Sequence, residues 1–442
     1  MFILSLLEIC AVCPEVIKSL SSKDYHLVLQ PGCYQYSNLK TKQMASSWPI
    51  AFWDEAFWFP ANRSWGWKDL VNKPGANIYL PDLKDIHWAL LLGVVLIGVR
   101  YLVETIFVVP VAIWLGVPNR KKPHVTPNKD LETAYKSKKY SKNEIKILSK
   151  QIDMSEKQVE VWFRRRRKVD APTPIQKFRE CSWHLLFYTA FFFYGMTYLW
   201  QKEYFWSTIE CWRNWPIQHV SNDMYWHYMI ELAFYWSLVF TLFSDHKRKD
   251  FKEMIIHHFA TIVLMYFSWV LNFVRVGTLV LVVHDAADTW LALAKMSIYA
   301  KNKAATDIFF GIFLLVWVLS RLIIYPFFVL YCTLVEPFTI KLIDSTFGAH
   351  QFFNFFLCVL LVLHFIWTYL IFRIVYRKMV KGNVEDVRSD SEDSGEESDT
   401  EDIEDEKEWN GNDNIKVNGK IINGNAAKAL NCQNGRRVKN GK

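Results

Sequence analysis

The chain has 442 residues, of which 51% are hydrophobic, 16% aromatic and 22% charged, and its formal net charge is +8. Glycine (17) and proline (15) are too few for a fibrous or low-complexity protein. The eight cysteines are scattered without a CxxC pair, so their spacing indicates neither a zinc site nor a disulfide framework. Residues 385–408 hold 14 acidic and two basic residues, a net charge of −12, so the rest of the chain carries +20. A basic body in a membrane chain favours contact with anionic headgroups or an anionic substrate.

The first 87 residues divide at Met44. Residues 1–43 are interpreted as an N-terminal extension of uncertain use, because the apolar start is interrupted by Glu8 and lacks the basic region of a signal peptide. An aromatic, amphipathic sequence begins at Met44, which we take as a translation start that is used in the cell. Residues 44–87 then form a luminal aromatic segment that carries a glycosylation sequon at Asn62.

Seven segments are apolar over the roughly 20 residues that a helix needs to cross a bilayer. They lie at 88–109, 182–200, 225–243, 254–273, 276–296, 305–330 and 352–375. This predicts an all-α polytopic membrane protein with about seven transmembrane helices. The 88–109 segment is the first span, and residues 178–380 form the main membrane domain.

Basic residues mark one side of the predicted bundle. Residues 118–180 and the connections Asp245–Lys252 and Tyr376–Lys381 are basic, and in a seven-span chain all three share one side. The positive-inside rule assigns that side to the cytosol. The N-terminus is then luminal, as is the sequon, and the C-terminus is cytosolic.

Residues 118–172 form a basic cytosolic insert in which apolar spacing predicts one amphipathic helix and, after a Ser155 cap, a second. The apolar positions are Ile145, Leu148, Ile152, Val159, Trp162 and Phe163. This insert resembles the second and third helices of a homeodomain, including the WF-x-x-RR signature. Arg165 replaces the adenine-reading Asn, and the residues from Lys121 to Tyr135 are too few for a first helix. We expect a truncated homeodomain that serves as a structural element or binds phosphates or headgroups through Arg164–Lys168, rather than one that binds DNA.

Residues 383–442 form a tail that is too polar and acidic to bury a core, so we expect it to be disordered and cytosolic. Three serines in it have an acidic residue three places on and are candidate sites for acidophilic kinases. They are Ser389, Ser394 and Ser398.

Polar and ionisable side chains inside a bilayer are costly and usually mark a site. They are concentrated here in two consecutive spans, at His257, His258, Asn272, Arg275, His284, Asp285 and Asp288. His257 and Asp288 each lie seven residues from the cytosolic edge of their helices, which places both at a depth of about 10 Å. Asp285 shares a helix face with Asp288. We therefore expect the two histidines and the two aspartates to meet.

The chemistry that fits these groups is acyl transfer. A neutral imidazole can act as a base toward an amine, or it can attack a thioester and form an acyl-imidazole. A carboxylate on the other ring nitrogen would fix the tautomer. The rival is a di-iron site, but such sites use several His-rich boxes and this chain has a single HH pair. We predict no metal and no cofactor.

The same region resembles the Lag1 motif of the ceramide synthases. The matching stretches are FYWS (Phe234–Ser237), KRKDF (Lys247–Phe251), the HH pair, RVGTLVLVVHDAAD (Arg275–Asp288) and AKM (Ala294–Met296). The sequon, the truncated homeodomain and the acidic tail also resemble the animal, homeodomain-containing members.

The resemblance implies a multi-pass enzyme of the endoplasmic reticulum that transfers a fatty acyl group from acyl-CoA to the amine of sphinganine or sphingosine. Acyl-CoA is then a substrate rather than a cofactor, and the protein works among membrane lipids. The resemblance further implies a homodimer, or a heterodimer with other ceramide synthases. Nucleic acid is not expected as a partner.

The resemblance also assigns roles. Four residues carry the family's catalytic pattern: His257, His258, Asp285 and Asp288. We take His257 as base or nucleophile, His258 as its partner and the aspartates as orienting carboxylates, although the two histidines could exchange roles. Four basic residues are candidates for binding substrate or CoA, and the first three could equally be a positive-inside anchor. They are Lys247, Arg248, Lys249 and Arg275.

In the family, a loop between the last two spans bears on acyl-chain length. Here that loop is Tyr331–His350, and the neighbouring Arg321–Leu334 resembles the very-long-chain branch, so we expect long to very-long chains. Three alternatives stay open beside the enzyme: a non-catalytic lipid sensor built on the same bundle, a membrane-tethered homeodomain transcription factor that binds DNA, and a proton-coupled transporter.

Overall fold

A computed structural model describes residues 53–381, apart from 62, 74, 76, 120, 138–140, 243–249 and 345, and two short strands near the C-terminus. Several predictions fall outside the described residues and stay predictions. They concern residues 1–43, Asn62, Lys247, Arg248, Lys249, Ser389, Ser394 and Ser398.

The described chain is almost entirely helical. In chain order the α-helices are α1 (Glu55–Trp58), α2 (Leu83–Trp114), α3 (Lys129–Lys136), α4 (Lys142–Ile152), α5 (Glu156–Asp170), α6 (Pro174–Leu199), α7 (Glu203–Trp206), α8 (Asn222–Thr241), α9 (Phe251–Val270), α10 (Val274–Tyr299), α11 (Lys303–Leu334), α12 (Glu336–Thr339) and α13 (Gly348–Lys381). Short 3₁₀ turns lie at Trp67–Leu70 and Thr208–Cys211. Helix α2 contains a π-helical turn at Glu104–Val108, and α11 contains a longer π-helical segment at Val318–Leu330.

Each predicted span coincides with one long helix: α2, α6, α8, α9, α10, α11 or α13. Five of these helices, α2, α9, α10, α11 and α13, are long and apolar enough to cross a membrane. Helices α6 and α8 are long but do not reach the same apolarity. The predicted all-α, multi-pass membrane bundle is therefore confirmed, whereas the count of seven spans stays a prediction.

Tight turns make consecutive helices antiparallel neighbours around α10. Asn272 adopts a left-handed conformation (φ 56°) between α9 and α10, and Lys301 does the same (φ 56°) between α10 and α11. Helix α10 packs against α6 and α11 and also contacts α8 and α9. At Gly93 of α2, a Cβ atom would lie 2.9 Å from the carbonyl oxygen of Ala233, so glycine permits the close approach of α2 and α8. The functional residues of α10 thus lie at the centre of the bundle.

Four connecting segments meet at one end of the bundle. Trp215 Nε1 donates to the carbonyl of Leu271 (2.9 Å), and Arg63 Nη2 donates to the carbonyl of Lys341 (2.9 Å). The backbone N–H of Val220 donates to the carbonyl of Tyr79 (3.0 Å). These bonds gather the segments before α2, between α6 and α8, between α9 and α10, and between α11 and α13, as alternating crossings of a membrane require.

The basic insert has three helices, and the expectation that the residues from Lys121 to Tyr135 cannot hold a first homeodomain helix as well as a linker is wrong. Helix α3 occupies that position, begins after Asn128, whose side chain accepts from the N–H of Asp130 (3.0 Å), and buries Leu131. It packs against α5, where Trp162 Nε1 donates to the carbonyl of Thr126 (2.8 Å). The helix fits because it is only eight residues long. The two predicted helices are present as α4 and α5, and Ser155 caps α5 as predicted.

Arg166 fastens the first helix of the insert to the third. Its guanidinium pairs with Glu132 on α3 (2.8 Å) and with Asp170 on its own helix, and it lies over the ring of Tyr135 at 5.1 Å. Its hydrogen bonds to the carboxylates of Asp170 and Glu132 raise the pKa of Arg166 above its ordinary value. One member of the predicted headgroup-binding cluster therefore has a structural task.

Two short strands are described near the C-terminus, and the predicted disorder of residues 383–442 stays a prediction. Strands β1 (Asn414–Val417) and β2 (Lys420–Asn423) pair antiparallel, with Asn414 opposite Asn423. An Asn-Gly pair separates them in the sequence, and this dipeptide favours the tight turns that join two strands.

Candidate active site

A polar cavity of about 170 Å³ lies among α6, α9, α10, α11 and α13. Helix α9 contributes His257 and His258 to its wall, and α10 contributes Asp288. The other polar side chains of the wall are Glu180, His184, Lys295 and Arg321. The structure thus brings together both predicted histidines and one of the two predicted aspartates.

Arg321 holds Asp288 at the cavity. Its Nη2 donates to Asp288 Oδ2 (3.1 Å) and to the carbonyl oxygen of His284 (2.6 Å), while its side chain is 4% exposed. Its Nε–H is buried without a hydrogen-bond partner. Sequence reasoning missed Arg321, although a lone cation in the apolar run of α11 was a detectable signal. The π-helical segment that carries Arg321 is a feature often found at functional sites.

The two histidines lie against aromatic rings. The ring of His257 meets Trp367 edge-on at 5.4 Å, and His258 lies 6.0 Å from Tyr235. His257 Nδ1 has no hydrogen-bond partner. The carboxylate expected on the second ring nitrogen is therefore not found at that atom of His257. The physical reason is that the buried Arg321 guanidinium needs a counter-charge and takes Asp288.

Asp285 faces a different set of side chains. It lies with His227 and Glu231 of α8, all buried, and the ligand atoms of the three groups lie within 4.8 Å of one another. His227 Nδ1 lies 2.7 Å from the hydroxyl of Tyr198. Both oxygens of Glu231 and one oxygen of Asp285 lack hydrogen-bond partners. This cluster could hold a metal ion, or the two carboxyl groups could share a proton.

A buried histidine pair, His284 and His364, lies beside Arg321. His284 Nδ1 lies 2.7 Å from the carbonyl of Val280, so in the neutral ring this nitrogen carries the proton. His284 Nε2 is then an acceptor and lies 3.2 Å from Nε2 of His364, a residue that is fully buried. His284 thus contacts Arg321 of α11 through its backbone carbonyl and His364 of α13 through its ring.

A second, narrow cavity of about 80 Å³ begins beyond His284 and Tyr235, and its lining is almost wholly apolar. It runs along α10 from His284 to Phe273, about 17 Å of helix. Its far end is lined by residues of the predicted chain-length loop: Thr333, Pro337, Leu342, Ile343, Phe347 and His350. A polar cavity and an apolar one therefore follow each other along α10.

Arg275 does not belong to the polar cavity. It lies 13 residues before Asp288, about 20 Å along α10, at the other end of the bundle. Its Nη1 donates to the carbonyl of Glu210 (2.8 Å), and its guanidinium lies over Tyr204 at 5.6 Å. The structure gives no support to the predicted role of Arg275 in binding CoA.

Comparisons with known proteins agree with this arrangement. The family model of the TLC domain matches residues 177–373, which include both cavities, and the homeodomain model matches residues 119–169.

Three curated relatives show the extent of the likeness. The chain is 40% identical over 350 residues to ceramide synthase 5 of Homo sapiens, and this alignment covers 78% of this chain and 88% of that protein. It is 39% identical over 350 residues to ceramide synthase 3 of Mus musculus (77% and 88% covered). It is 32% identical over 351 residues to ceramide synthase hyl-2 of Caenorhabditis elegans (77% and 94% covered). The resemblance read from the sequence motifs is confirmed.

Proposed function

The chain belongs to the ceramide synthase family, and on that premise we propose that it transfers a fatty acyl group from acyl-CoA to the amine of sphinganine or sphingosine. The products are dihydroceramide or ceramide and free CoA. One observation carries the proposal: a polar cavity with two histidines and an Arg–Asp pair opens beside a narrow apolar cavity. Such a site can hold a thioester headgroup and an acyl chain in sequence.

His257 is proposed as the nucleophile. Its ring nitrogen attacks the thioester carbonyl carbon, the C–S bond breaks, and CoA leaves as a thiolate that takes up a proton. The amine of the sphingoid base then attacks the acyl-imidazole, the new C–N bond forms, and the imidazole leaves as the amine loses a proton. His257 is preferred over His258 because its ring is half-buried at the cavity wall, whereas His258 is 4% exposed.

Arg321 is proposed to stabilise the oxygen of the attacked carbonyl. Its Nε–H is an unused, buried donor on the cavity wall. A guanidinium fixed by Asp288 and by the carbonyl of His284 needs little reorganisation when negative charge develops on an oxygen nearby. Asp288 would then act through Arg321 rather than through a histidine.

The apolar cavity is proposed to receive the acyl chain. Its lining by Leu264, Leu281 and Leu357 suits methylene groups, and it reaches His284, about one helical turn from Asp288 of the polar cavity. Chain length would be limited where Leu342 and Ile343 close the far end. We expect long to very-long chains, as the sequence of this region suggested.

The protein is proposed to lie in the endoplasmic reticulum membrane with its N-terminus in the lumen and its C-terminus in the cytosol. Two features support this orientation: the basic residues of 118–180, and the meeting of four connections at the bundle end that carries Arg63, the middle residue of the sequon. Lys247, Arg248 and Lys249 would then lie at the cytosolic mouth and could bind CoA phosphates. A homodimer or a heterodimer within the family remains part of the proposal.

The test is a product assay on membranes that contain the full chain. Sphinganine is offered with acyl-CoAs of graded length, and dihydroceramide is measured by mass spectrometry. We expect product from the wild type and none above background from the His257→Ala/His258→Ala double variant at equal protein level. A wild-type protein that is present and glycosylated but makes no product would refute the proposal and favour a lipid sensor.

A further inference from the structure

Two cysteines that are 121 positions apart in the chain meet at the end of the bundle that holds the sequon. Cys211 ends the 3₁₀ turn Thr208–Cys211, and Cys332 lies in the last turn of α11. They are 3% and 1% exposed, and the two thiols lie close enough to interact with each other. Cys332 Sγ also contacts the carbonyl oxygen of Thr208 at 3.5 Å. Spacing in the sequence gave no sign of this pair.

Other bonds hold the two segments against each other. Trp212 Nε1 donates to the carbonyl of Cys332 (2.8 Å), and Thr208 Oγ1 donates to Glu336 Oε1 (2.5 Å). The Trp212 bond joins the residue after one cysteine to the backbone of the other. The thiols are therefore kept together by the fold and do not meet by chance at a mobile surface.

We propose that Cys211 and Cys332 form a disulfide bond in the cell. This inference rests on the proposed orientation, which places this end of the bundle in the oxidising lumen, where disulfides form and persist. A Cys thiolate attacks the disulfide of a luminal thiol–disulfide exchange protein, and the second Cys thiolate then displaces that protein. One S–S bond forms, two protons leave the thiols, and the exchange protein accepts two electrons and becomes a dithiol.

The bond would fix the wall of the apolar cavity. Trp212 and Thr333, the residues that follow the two cysteines, both line that cavity. Pro337 and Leu342 of the chain-length loop line the same end. A covalent link between the two segments would hold the loop at a set distance from Trp212, and so would keep the depth of the cavity constant.

The test is peptide mass spectrometry on the full chain expressed in eukaryotic cells. Membranes are denatured in N-ethylmaleimide, digested without reductant and analysed before and after reduction. We expect a linked peptide pair that contains Cys211 and Cys332, which is lost on reduction and is absent from Cys211→Ser and Cys332→Ser. Matched controls are Cys181→Ser, on α6 toward the other end of the bundle, and Cys358→Ser, on α13, which should retain the pair.

The overturning result is full alkylation of both cysteines without reductant. The Asn62 glycan and the dihydroceramide product are read in the same preparation, so loss of the disulfide alone leaves the proposed function standing. Thermal stability gives a second readout. Reductant should lower the unfolding temperature of the wild type by about 5 °C and leave that of Cys211→Ser unchanged. An equal response of both proteins would also contradict the disulfide.

Discussion

Arg321 organises the polar cavity through bonds to two other helical positions. Its guanidinium binds the Asp288 carboxylate and the His284 carbonyl and lies 3.4 Å from Nε2 of His364. A cation that is only 4% exposed has to be paired, because an unpaired buried charge costs several kcal/mol. Arg321 therefore contributes to the stability of the bundle. In the proposed mechanism it also stabilises the negative charge that develops on the attacked carbonyl oxygen.

Arg321→Met should reduce dihydroceramide formation by about 100-fold or more, because the donor to the developing oxyanion is lost and Asp288 loses its ion pair with Arg321. Arg321→Lys should keep an intermediate rate, since it retains the charge but loses the fork that reaches two acceptors. The measurement is the rate of product formation per amount of protein. Lys378→Met, which breaks a more exposed ion pair with Asp307, is the control and should retain the wild-type rate. A wild-type rate from Arg321→Met would remove Arg321 from the mechanism.

At this scale the sequence could predict the histidine pair and Asp288, because charged groups in apolar spans are conspicuous and depth can be counted along a helix. It could not predict that Asp285 and Asp288 face different partners. Residues three apart differ by about 60° around a helix. In a bundle as crowded as this one, that angle directs Asp285 to α8 and Asp288 to α11.

The loop between α11 and α13 closes the far end of the apolar cavity. Ile343 is 2% exposed and lies on the cavity wall, whereas Tyr331 in the same region is 51% exposed. The two positions therefore allow a matched comparison of volume inside and outside the cavity.

Ile343→Trp should shift the preferred acyl-CoA toward shorter chains, because the larger side chain of tryptophan fills the end of the cavity. The measurement is the product distribution from an equimolar mixture of acyl-CoAs. Tyr331→Trp, which adds volume at an exposed position, should leave that distribution unchanged. An unchanged distribution in Ile343→Trp, with activity retained, would show that this cavity does not hold the acyl chain.

The three-helix unit of α3, α4 and α5 has its own small core, in which Leu131 of α3 is fully buried. Leu131→Ala should destabilise this unit by about 2–5 kcal/mol through lost burial and a residual cavity. We expect faster proteolysis between residues 118 and 172 in sealed, cytosol-side-out microsomes. Lys146→Ala, at an exposed position of α4, should behave as the wild type. Equal cleavage of all three proteins would mean that the unit is not packed as described.

Helices and caps were largely predictable at the element scale, as the Ser155 cap and the long spans show. Helix α3 was not, because the residues from Lys121 to Tyr135 were counted as too few for both a linker and a helix. That count did not allow for a helix of only eight residues. The π-helical segment of α11 was also not predictable. It contains Arg321 and Pro326, and apolar periodicity does not show where a helix changes its hydrogen-bonding pattern.

In the whole molecule, four connections meet at one end of the bundle. The basic insert is not one of them, because it belongs to the connection between α2 and α6. If that end is luminal, Asn62 carries a glycan that an endoglycosidase removes, and Asn62→Gln migrates like the deglycosylated wild type on a gel. An epitope at the C-terminus should be reached by antibody after the plasma membrane alone is permeabilised. A glycan-free wild type with a protected C-terminal epitope would reverse the orientation.

The central claim is that the polar cavity transfers an acyl group, and single-turnover labelling tests it most directly. Purified full-length protein is mixed with isotopically labelled acyl-CoA without a sphingoid base, and its peptides are mapped by mass spectrometry. The account predicts one acyl group on the peptide that contains His257, absent from His257→Ala, and its complete transfer to added sphinganine as labelled dihydroceramide. An unlabelled wild-type protein that also makes no dihydroceramide when sphinganine is added would contradict it.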